Sequence, residues 1–201
     1  PTSKKRKGLM NGLFYFKNHP FLYLRPMISF NNEDIQFNLK NKTNLKSWIV
    51  STIENPPRSS GSFRAGKKAG DISFVFCSDA FLLQMNKEYL NHDTYTDIIT
   101  FDYSNDASSN NLRFSTPLEV TAQGAKSKAT KTSAPISGDI FICIDRVKEN
   151  SSHFSKSFED ELHRVIIHGV LHLLGYKDKT KIAKAEMRKQ ENFCLKALKK
   201  F

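Results

Sequence analysis

A chain of 201 residues is long enough for one domain with a substantial core. Its 39% hydrophobic and 25% charged residues are typical of a globular protein, and no apolar stretch approaches the roughly 20 residues of a membrane-spanning helix. The net charge of +11 favours a polyanionic partner such as nucleic acid, although a merely basic surface explains it equally well. Three widely spaced cysteines without a CxxC pair indicate a reduced cytoplasmic protein rather than a disulfide framework.

The positive charge is concentrated at the start of the chain. Residues 1–26 contain six Lys and Arg residues and no acid, so they carry +6, and the remaining 25 basic and 20 acidic residues leave +5. This first segment could serve as a nuclear signal or an RNA-binding arm. We predict instead a poorly ordered, basic extension in front of a single domain at 27–201. A signal peptide is not favoured, because Asn11 and Lys17 interrupt the apolar residues.

The first half of the domain mixes strands with helices. The pattern of apolar residues and turn formers predicts, in order, a half-buried strand at 35–39, a helix at 44–53, a loop at 55–70, a strand at 72–77 and a helix near 79–91. Asn44 and Ser78 are suitable N-caps for the two helices, because their side chains can accept hydrogen bonds from the first free N–H groups.

The second half contains a long loop and two further helices. The same patterns predict a strand at 97–101, a loop at 104–137, a strand at 138–145, a helix from Ser157 to about Leu174 and a last helix near 180–199. The loop has 7 Ser and 4 Thr in 34 positions, and a loop of that length is either functional or disordered. The whole pattern predicts an α+β fold, in which a small mixed β-sheet is packed with helices.

The segment His168–Asp178, HGVLHLLGYKD, carries the strongest chemical pattern. Residues four apart share a helical face, so His168 and His172 point the same way. Gly175 can end the helix in a left-handed turn, after which Asp178 could return to the histidines. Two histidines and a carboxylate with an open fourth position are typical of catalytic zinc. Apolar neighbours place this zincin-like metal-binding helix in the core, where paired histidines need polar partners or a metal.

Gly169 stands where zinc peptidases of the HExxH type have the glutamate that acts as general base. A glycine inside a helix costs about 1 kcal/mol relative to alanine, so we expect a strand or substrate backbone to approach closely there. Phosphodiester cleavage in RNA needs less from the protein than peptide cleavage, because the 2′-hydroxyl is an internal nucleophile and a metal stabilises the charged phosphorane. The remaining histidines lack a comparable context: His19, His92, His153 and His163.

The histidine segment resembles the motif of the YbeY family of bacterial rRNA maturation factors, which has two histidines, a Gly-Tyr turn and a third ligand that is usually His. Here Asp178 occupies the third position. Residues 85–101, MNKEYLNHDTYTDIITF, and 138–147, GDIFICIDRV, resemble two further segments of the family. The similarity covers roughly residues 27–200, and it departs from the family pattern at Leu90, where the family often has Arg.

The resemblance implies a single-strand-specific, zinc-dependent endoribonuclease that acts in 16S rRNA 3′-end maturation and in late ribosome quality control. It implies one zinc ion held by His168, His172 and Asp178, with a metal-bound water as the catalytic group. Asp139 and Asp97 are candidates to support the ligands or line the cleft, although hydrogen bonding at strand ends explains them equally well. The implied partners are rRNA and the small ribosomal subunit in the cytoplasm, with no membrane and no small-molecule cofactor.

Two other functions remain open from the residues alone. A peptidase-like zinc hydrolase of another substrate would need a general base that the motif lacks. A non-catalytic ribosome-assembly protein would use a structural zinc only to hold the turn at Gly175, and a fourth protein ligand on the metal would favour this function.

Overall fold

A computed structural model describes residues 26–57, 67–104, 113–114 and 134–201. The helices in these ranges are α1 (Lys42–Glu54), α2 (Asp79–Leu90), α3 (Ile144–His153), α4 (Phe158–Leu173) and α5 (Lys181–Leu198). The strands are β1 (Ile28–Asn32), β2 (Ala69–Cys77), β3 (Ile98–Asp102), β4 (Arg113–Phe114) and β5 (Ile136–Cys143). This mixture of helices and strands confirms the predicted α+β class. Within the described part of the chain, every helix is too short or too polar to cross a membrane.

The strands form one mixed sheet in the order β1-β2-β5-β3-β4. β1 is parallel to β2 and β2 to β5, whereas β3 is antiparallel to both β5 and β4. β4 covers only one end of β3, where Phe101 and Asp102 pair with Phe114 and Arg113. The rest of the β3 edge, at residues 98–100, has no neighbouring strand among the described residues and lines a cleft instead.

α4 lies at the centre of the fold and packs across one face of the sheet. Val170 and Leu171 have no exposed surface, and they join a core cluster that also includes side chains of α1 and α5. Trp48 of α1 donates its indole N–H to the Cys194 carbonyl of α5 at 2.9 Å, which links these two helices. α2 packs on the opposite face of the sheet, where Phe141 belongs to a separate apolar cluster. The predicted metal-binding helix is therefore a core helix.

Gly169 sets how closely α4 lies on the sheet. A Cβ built at this position would lie 2.8 Å from Cγ2 of Ile140 and 2.9 Å from Cδ1 of Ile98, which is well inside normal contact distance. The glycine therefore permits the close approach of β5 and β3, one of the two explanations expected for its cost in the helix. Position 169 consequently faces the sheet, while its neighbour His168 faces the cleft.

The strand predicted at 35–39 is wrong. The first strand lies earlier, at Ile28–Asn32, where it pairs with β2, and 36–39 has no regular structure. Ile35 and Phe37 still pack against the core, and Leu39 is buried. The alternation of apolar residues in this segment correctly indicates which side chains pack in the core, but the segment does not pair with a strand.

The strand predicted at 138–145 has different ends. β5 begins at Ile136 and stops at Cys143, where α3 begins. α3 was not predicted from the sequence, because only Ile144, Val147 and Ser151 are buried in an otherwise polar helix. Of the predicted extension and long loop, residues 1–25, 105–112 and 115–133 lie outside the described residues.

We expect Gly169→Ala to lower the free energy of unfolding by about 1 kcal/mol. Overpacking a core costs about 1–3 kcal/mol, which exceeds the roughly 1 kcal/mol that alanine gains in a helix. Ile98→Val removes the Cδ1 that a new Cβ would meet at 2.9 Å, so it should offset part of the loss in the double variant. Urea denaturation of the four proteins measures this coupling.

Gly175→Ala is the matched control for Gly169→Ala. A Cβ at Gly175 meets nothing within 4 Å, but the backbone φ of +96° disfavours any side chain. Ile98→Val should therefore leave the Gly175→Ala defect unchanged. Simple additivity of Gly169→Ala and Ile98→Val would show that close packing is not the reason for the glycine.

Candidate metal centre

His168 and His172 lie one turn apart near the C-terminal end of α4. The helix begins after Ser157, whose hydroxyl accepts a hydrogen bond from the Asp160 N–H at 3.0 Å. Because most other sides of α4 are buried in the core, the two imidazole rings share the side that borders the cleft. Their Nε2 atoms are 2.9 Å apart, and the ring planes are nearly perpendicular at 89°. The predicted pair is therefore convergent.

Gly175 turns the chain back toward the histidines. Its φ of +96° lies in the left-handed region that favours glycine. Its N–H donates to the His172 carbonyl at 2.9 Å, which closes the end of the helix. The hydroxyl of Tyr176 then donates to the Pro57 carbonyl at 2.9 Å and anchors the turn in the core. These contacts hold the segment that carries Asp178.

The carboxylate of Asp178 completes a group of three. Its Oδ2 is 3.7 Å from Nε2 of His168 and 3.9 Å from Nε2 of His172. Two atoms bound to one zinc ion at about 2.1 Å can be at most about 4.2 Å apart, so these distances allow a shared ion. The three predicted ligands thus form a group that could hold a metal ion.

Hydrogen bonds on the far side of each ring determine which nitrogen faces the cleft. Nδ1 of His172 lies 3.0 Å from the Tyr176 carbonyl oxygen, which can only accept, so this nitrogen carries the proton. Nδ1 of His168 lies 2.8 Å from the Glu191 carboxylate. In the neutral rings, both Nε2 atoms then have lone pairs available on the side where the Asp178 oxygen also lies. Three electron-rich atoms that converge in this way repel one another unless a cation lies between them, so the donor set fits a metal.

Glu191 of α5 supports the site, although it was not among the residues predicted from the sequence. Its side chain is only 5% exposed, and its Oε2 accepts from Arg164 at 2.9 Å and lies 3.2 Å from Arg188. Burial raises the pKa of Glu191, but the hydrogen bond and charge of His168 outweigh burial and keep that pKa below its usual value. The ionised carboxylate fixes the orientation of His168.

The pattern of α5 contained a signal for Glu191. The helix buries Met187, Gln190, Glu191 and Cys194, which share one face by helical spacing. An acid within the apolar row of an otherwise Lys-rich helix requires a buried partner. The partner could not be identified from the sequence, because the register between α4 and α5 is set by tertiary packing.

The two histidines have opposite pKa shifts. Burial, followed by the charge of His168, lowers the pKa of His172 to about 4. Burial also lowers the pKa of His168, but the hydrogen bond and charge of Glu191 outweigh burial and raise it above its usual value. His172 is thus neutral at pH 7 and already in the form that binds a metal, whereas the raised pKa of His168 makes a proton a stronger competitor for that ring. Acid should therefore weaken metal binding.

Asp97 and Asp139 lie in different parts of the fold. Asp97 lines the cleft, and its Oδ2 accepts a hydrogen bond from the Asn150 side chain at 3.3 Å. Asp139 of β5 accepts from the Tyr103 hydroxyl at 2.9 Å and is paired with Phe101, whose ring belongs to the cluster on the α2 side. The structure therefore brings Asp97 to the metal group's cleft, but it places Asp139 on the other face of the sheet.

The cleft combines basic and polar groups around the three ligands. Lys177 and Lys179 flank Asp178 on one wall, and His92 lies on the wall formed by the segment between α2 and β3. The hydroxyl of Thr100 on β3 is buried and has no hydrogen-bond partner within the described ranges. Basic side chains and an unpartnered hydroxyl favour a polar, negatively charged ligand.

The chain is similar in sequence to proteins of one known family. The family model described as Endoribonuclease YbeY matches residues 28–199. An endoribonuclease YbeY of Flavobacterium psychrophilum is 39% identical over 170 residues, which cover 85% of this chain and 95% of that protein. One of Cytophaga hutchinsonii is 39% identical over 174 residues, with coverages of 87% and 96%. A solution structure from Thermotoga maritima aligns at 21% identity and a TM-score of 0.43 over 86% of this chain and 89% of that chain.

We expect Glu191→Gln to weaken metal binding by about 10- to 100-fold, because an amide cannot stabilise the Nδ1–H tautomer of His168 as a carboxylate does. Titration of the metal-free protein with zinc in the presence of a competing chelator measures the affinity. Glu54→Gln, at an exposed position at the end of α1, is the matched control and should bind like wild type. Equal affinity of wild type and Glu191→Gln would exclude the positioning role.

Proposed function

The chain belongs to the YbeY endoribonuclease family, and we propose that it is a zinc-dependent endoribonuclease that cleaves single-stranded RNA of the small ribosomal subunit. The family membership predicted from the histidine segment is thereby confirmed. As a member of this family, the protein is a nuclease that acts on phosphodiester bonds.

The observation that carries the proposal is the convergence of three metal ligands at an accessible cleft. The side chains of His168, His172 and Asp178 are 20%, 17% and 37% exposed, so they border solvent rather than a closed pocket. A structural zinc is normally enclosed by four protein ligands, whereas a catalytic zinc keeps an open position. Three ligands at an open cleft favour catalysis over a zinc that only holds the turn at Gly175.

The chemistry expected of the site is cleavage of an RNA phosphodiester. When bound, a zinc ion would lower the pKa of a coordinated water and stabilise negative charge on the reacting phosphate. Lys177 and Lys179 border the cleft and can hold the phosphates on either side of the reacting one. Asp97 is a candidate to accept or orient a proton within the cleft. The 2′-hydroxyl of the substrate reduces the need for a strong protein base.

A peptidase-like hydrolase is less well supported. In zinc peptidases the residue after the first histidine is the glutamate that acts as general base. Here that position is Gly169, and a side chain there would collide with Ile98 and Ile140 of the sheet. Peptide hydrolysis would therefore need a base from elsewhere, and Asp97 is the one carboxylate besides Asp178 among the described residues that line the cleft.

We further propose that the natural substrate is the 3′ end of 16S rRNA, that the protein also takes part in late ribosome quality control, and that it works in the cytoplasm on the small subunit. The family resemblance is the main support for this assignment. The basic residues at the cleft and the net charge of +11 are consistent with a ribosomal RNA partner. Three buried cysteines with free thiols support a reducing compartment.

We expect the purified protein to cleave single-stranded RNA, to cleave duplex RNA poorly, and to lose activity with a chelator. His168→Ala should lower kcat/KM by at least about 100-fold, since a ligand is removed from the metal. Denaturing gel electrophoresis of labelled oligonucleotides measures cleavage, and zinc added after the chelator should restore it. Cleavage that persists equally in His168→Ala and with chelator would contradict the metal-nuclease proposal.

We expect Asp178→Ala to lower bound zinc, because the carboxylate supplies one of three converging ligands. Asp178→His restores the third ligand usual in the family and should retain zinc, with a site one charge less negative. Metal content per protein after dialysis measures both variants, and Asp71→Ala, at an acid outside the cleft, controls for a general loss of negative charge. Unchanged zinc in Asp178→Ala would exclude it as a ligand.

A further inference from the structure

Tyr95 is an exposed aromatic side chain at the cleft that the proposed metal chemistry does not use. It lines the cleft on the wall between α2 and β3, and 57% of its surface is exposed. Single exposed aromatic residues are common on protein surfaces, but this ring lies beside a candidate active site, where a bound substrate could cover it. The ring is held in place, and its environment identifies the kind of group that could cover it.

One face of the Tyr95 ring is covered by Arg146. The Arg146 guanidinium carbon lies 4.4 Å from the ring centroid, which is a cation–π contact. Arg146 itself is fixed, because its Nε donates to Oδ1 of Asp79 at 2.8 Å, its Nη2 donates to Oδ2, and its Nη1 pairs with Glu149 at 2.6 Å. The guanidinium therefore forms a rigid backing for the ring, and the exposed surface of the ring is left for another group.

The backbone that carries Tyr95 is also fixed. The side-chain amide of Asn86, which is only 3% exposed, donates to the Thr94 carbonyl at 2.6 Å. The N–H of His92 donates to the Asn86 carbonyl at 3.2 Å, directly after the left-handed cap residue Asn91. β3 begins three residues after Tyr95, at Ile98. The ring is thus pre-organised at the cleft rather than placed on a loose loop.

The geometry points to Tyr95 as a stacking platform for one unpaired nucleobase of the RNA substrate, and this inference rests on the proposed function. A base has a flat π-face, and stacking on an aromatic side chain is the usual way in which proteins bind single strands. Lys177 and Lys179 lie on the other wall of the cleft, so the sugar–phosphate chain can follow the basic wall while a base turns toward Tyr95. Bases inside a duplex already stack on both faces, so they cannot use the platform.

The experiment measures base stacking directly with 2-aminopurine, whose fluorescence is quenched when it stacks. The probe is a single-stranded oligonucleotide with 2′-O-methyl sugars and one 2-aminopurine, so that it cannot be cleaved through its 2′-hydroxyl. It is titrated with the zinc-loaded wild type, Tyr95→Phe and Tyr95→Leu. Phe193→Leu, at an aromatic residue that is 59% exposed on α5, is the matched control. Zinc content and thermal unfolding are measured on every variant.

We expect the wild type, Tyr95→Phe and Phe193→Leu to quench the probe and to bind it equally, within about twofold. Tyr95→Leu should abolish quenching and weaken binding by about 5- to 150-fold, the range for loss of one stacked base. In cleavage assays its KM should rise while kcat and zinc content stay unchanged, and its preference for single strands over duplex should narrow. These results would separate stacking from a purely structural role, in which the weaker binding of Tyr95→Leu would be accompanied by lower thermal stability, lower zinc content or a lower kcat.

Other outcomes overturn the inference. Quenching by Tyr95→Leu equal to wild type would exclude the platform, and so would a defect of Tyr95→Phe as large as that of Tyr95→Leu. Quenching by wild type without cleavage of RNA would support the platform and reject the nuclease proposal. Cleavage by wild type without quenching at any probe position would reject the platform alone. If the wild-type protein does not bind the single-stranded probe, the platform is rejected. Binding of a protein at this ring would not rescue it.

Discussion

The close packing of α4 on the sheet at Gly169 is the constraint on which the rest of the site depends. With no side chain at this position, β3 and β5 approach the helix through Ile98 and Ile140. The adjacent residue, His168, is then rotated by about 100° around the helix, away from the sheet and toward the cleft. A larger residue at 169 would push the helix away from β3 and separate the histidines from Thr100. The glycine that removes a peptidase base is thus also what brings the metal ligands to the β3 edge.

The site also depends on an electrostatic compensation that comes from a distant part of the chain. A histidine in a core helix loses its hydration, so each imidazole N–H needs an acceptor. The Tyr176 carbonyl supplies one locally, through the turn at Gly175, and Glu191 supplies the other from α5. Glu191 would itself be costly to bury, but its hydrogen bond with His168 and its ion pair with Arg164 keep it ionised. Arg164, Glu191 and His168 therefore form a hydrogen-bonded chain that leads to the metal group. Loss of any one member would leave a buried polar group without a partner.

Local patterns were enough to predict the parts of the site that lie within one turn of each other. Helical spacing predicted the convergence of the two histidines, and the helix-ending Gly175 is confirmed by its positive φ. Asp178 was predicted from the turn expected at Gly175 and then supported by the family resemblance, although spacing alone does not determine where a turn returns. Glu191 was not predicted, and the reason for Gly169 was predicted only as one of two alternatives. Both depend on how α4 packs against other elements, which the local sequence does not determine. β1 and α3 were not predicted for the same reason. Their apolar periodicity is weak, and their structure depends on the elements that they pack against.

Two departures from the usual family pattern act in the same direction on the charge of the cleft. By the resemblance of its sequence segments, the chain has Leu90 in place of an Arg and Asp178 in place of a His, which would make the site two charges more negative than that pattern. Both departures should strengthen the hold on a cation and weaken the hold on a phosphate. Lys177 and Lys179 sit on the turn next to Asp178, where they can restore attraction for the RNA backbone. With less positive charge available from α2, affinity for the substrate would rely more on uncharged contacts, and the exposed ring of Tyr95 is the group that we propose to supply one.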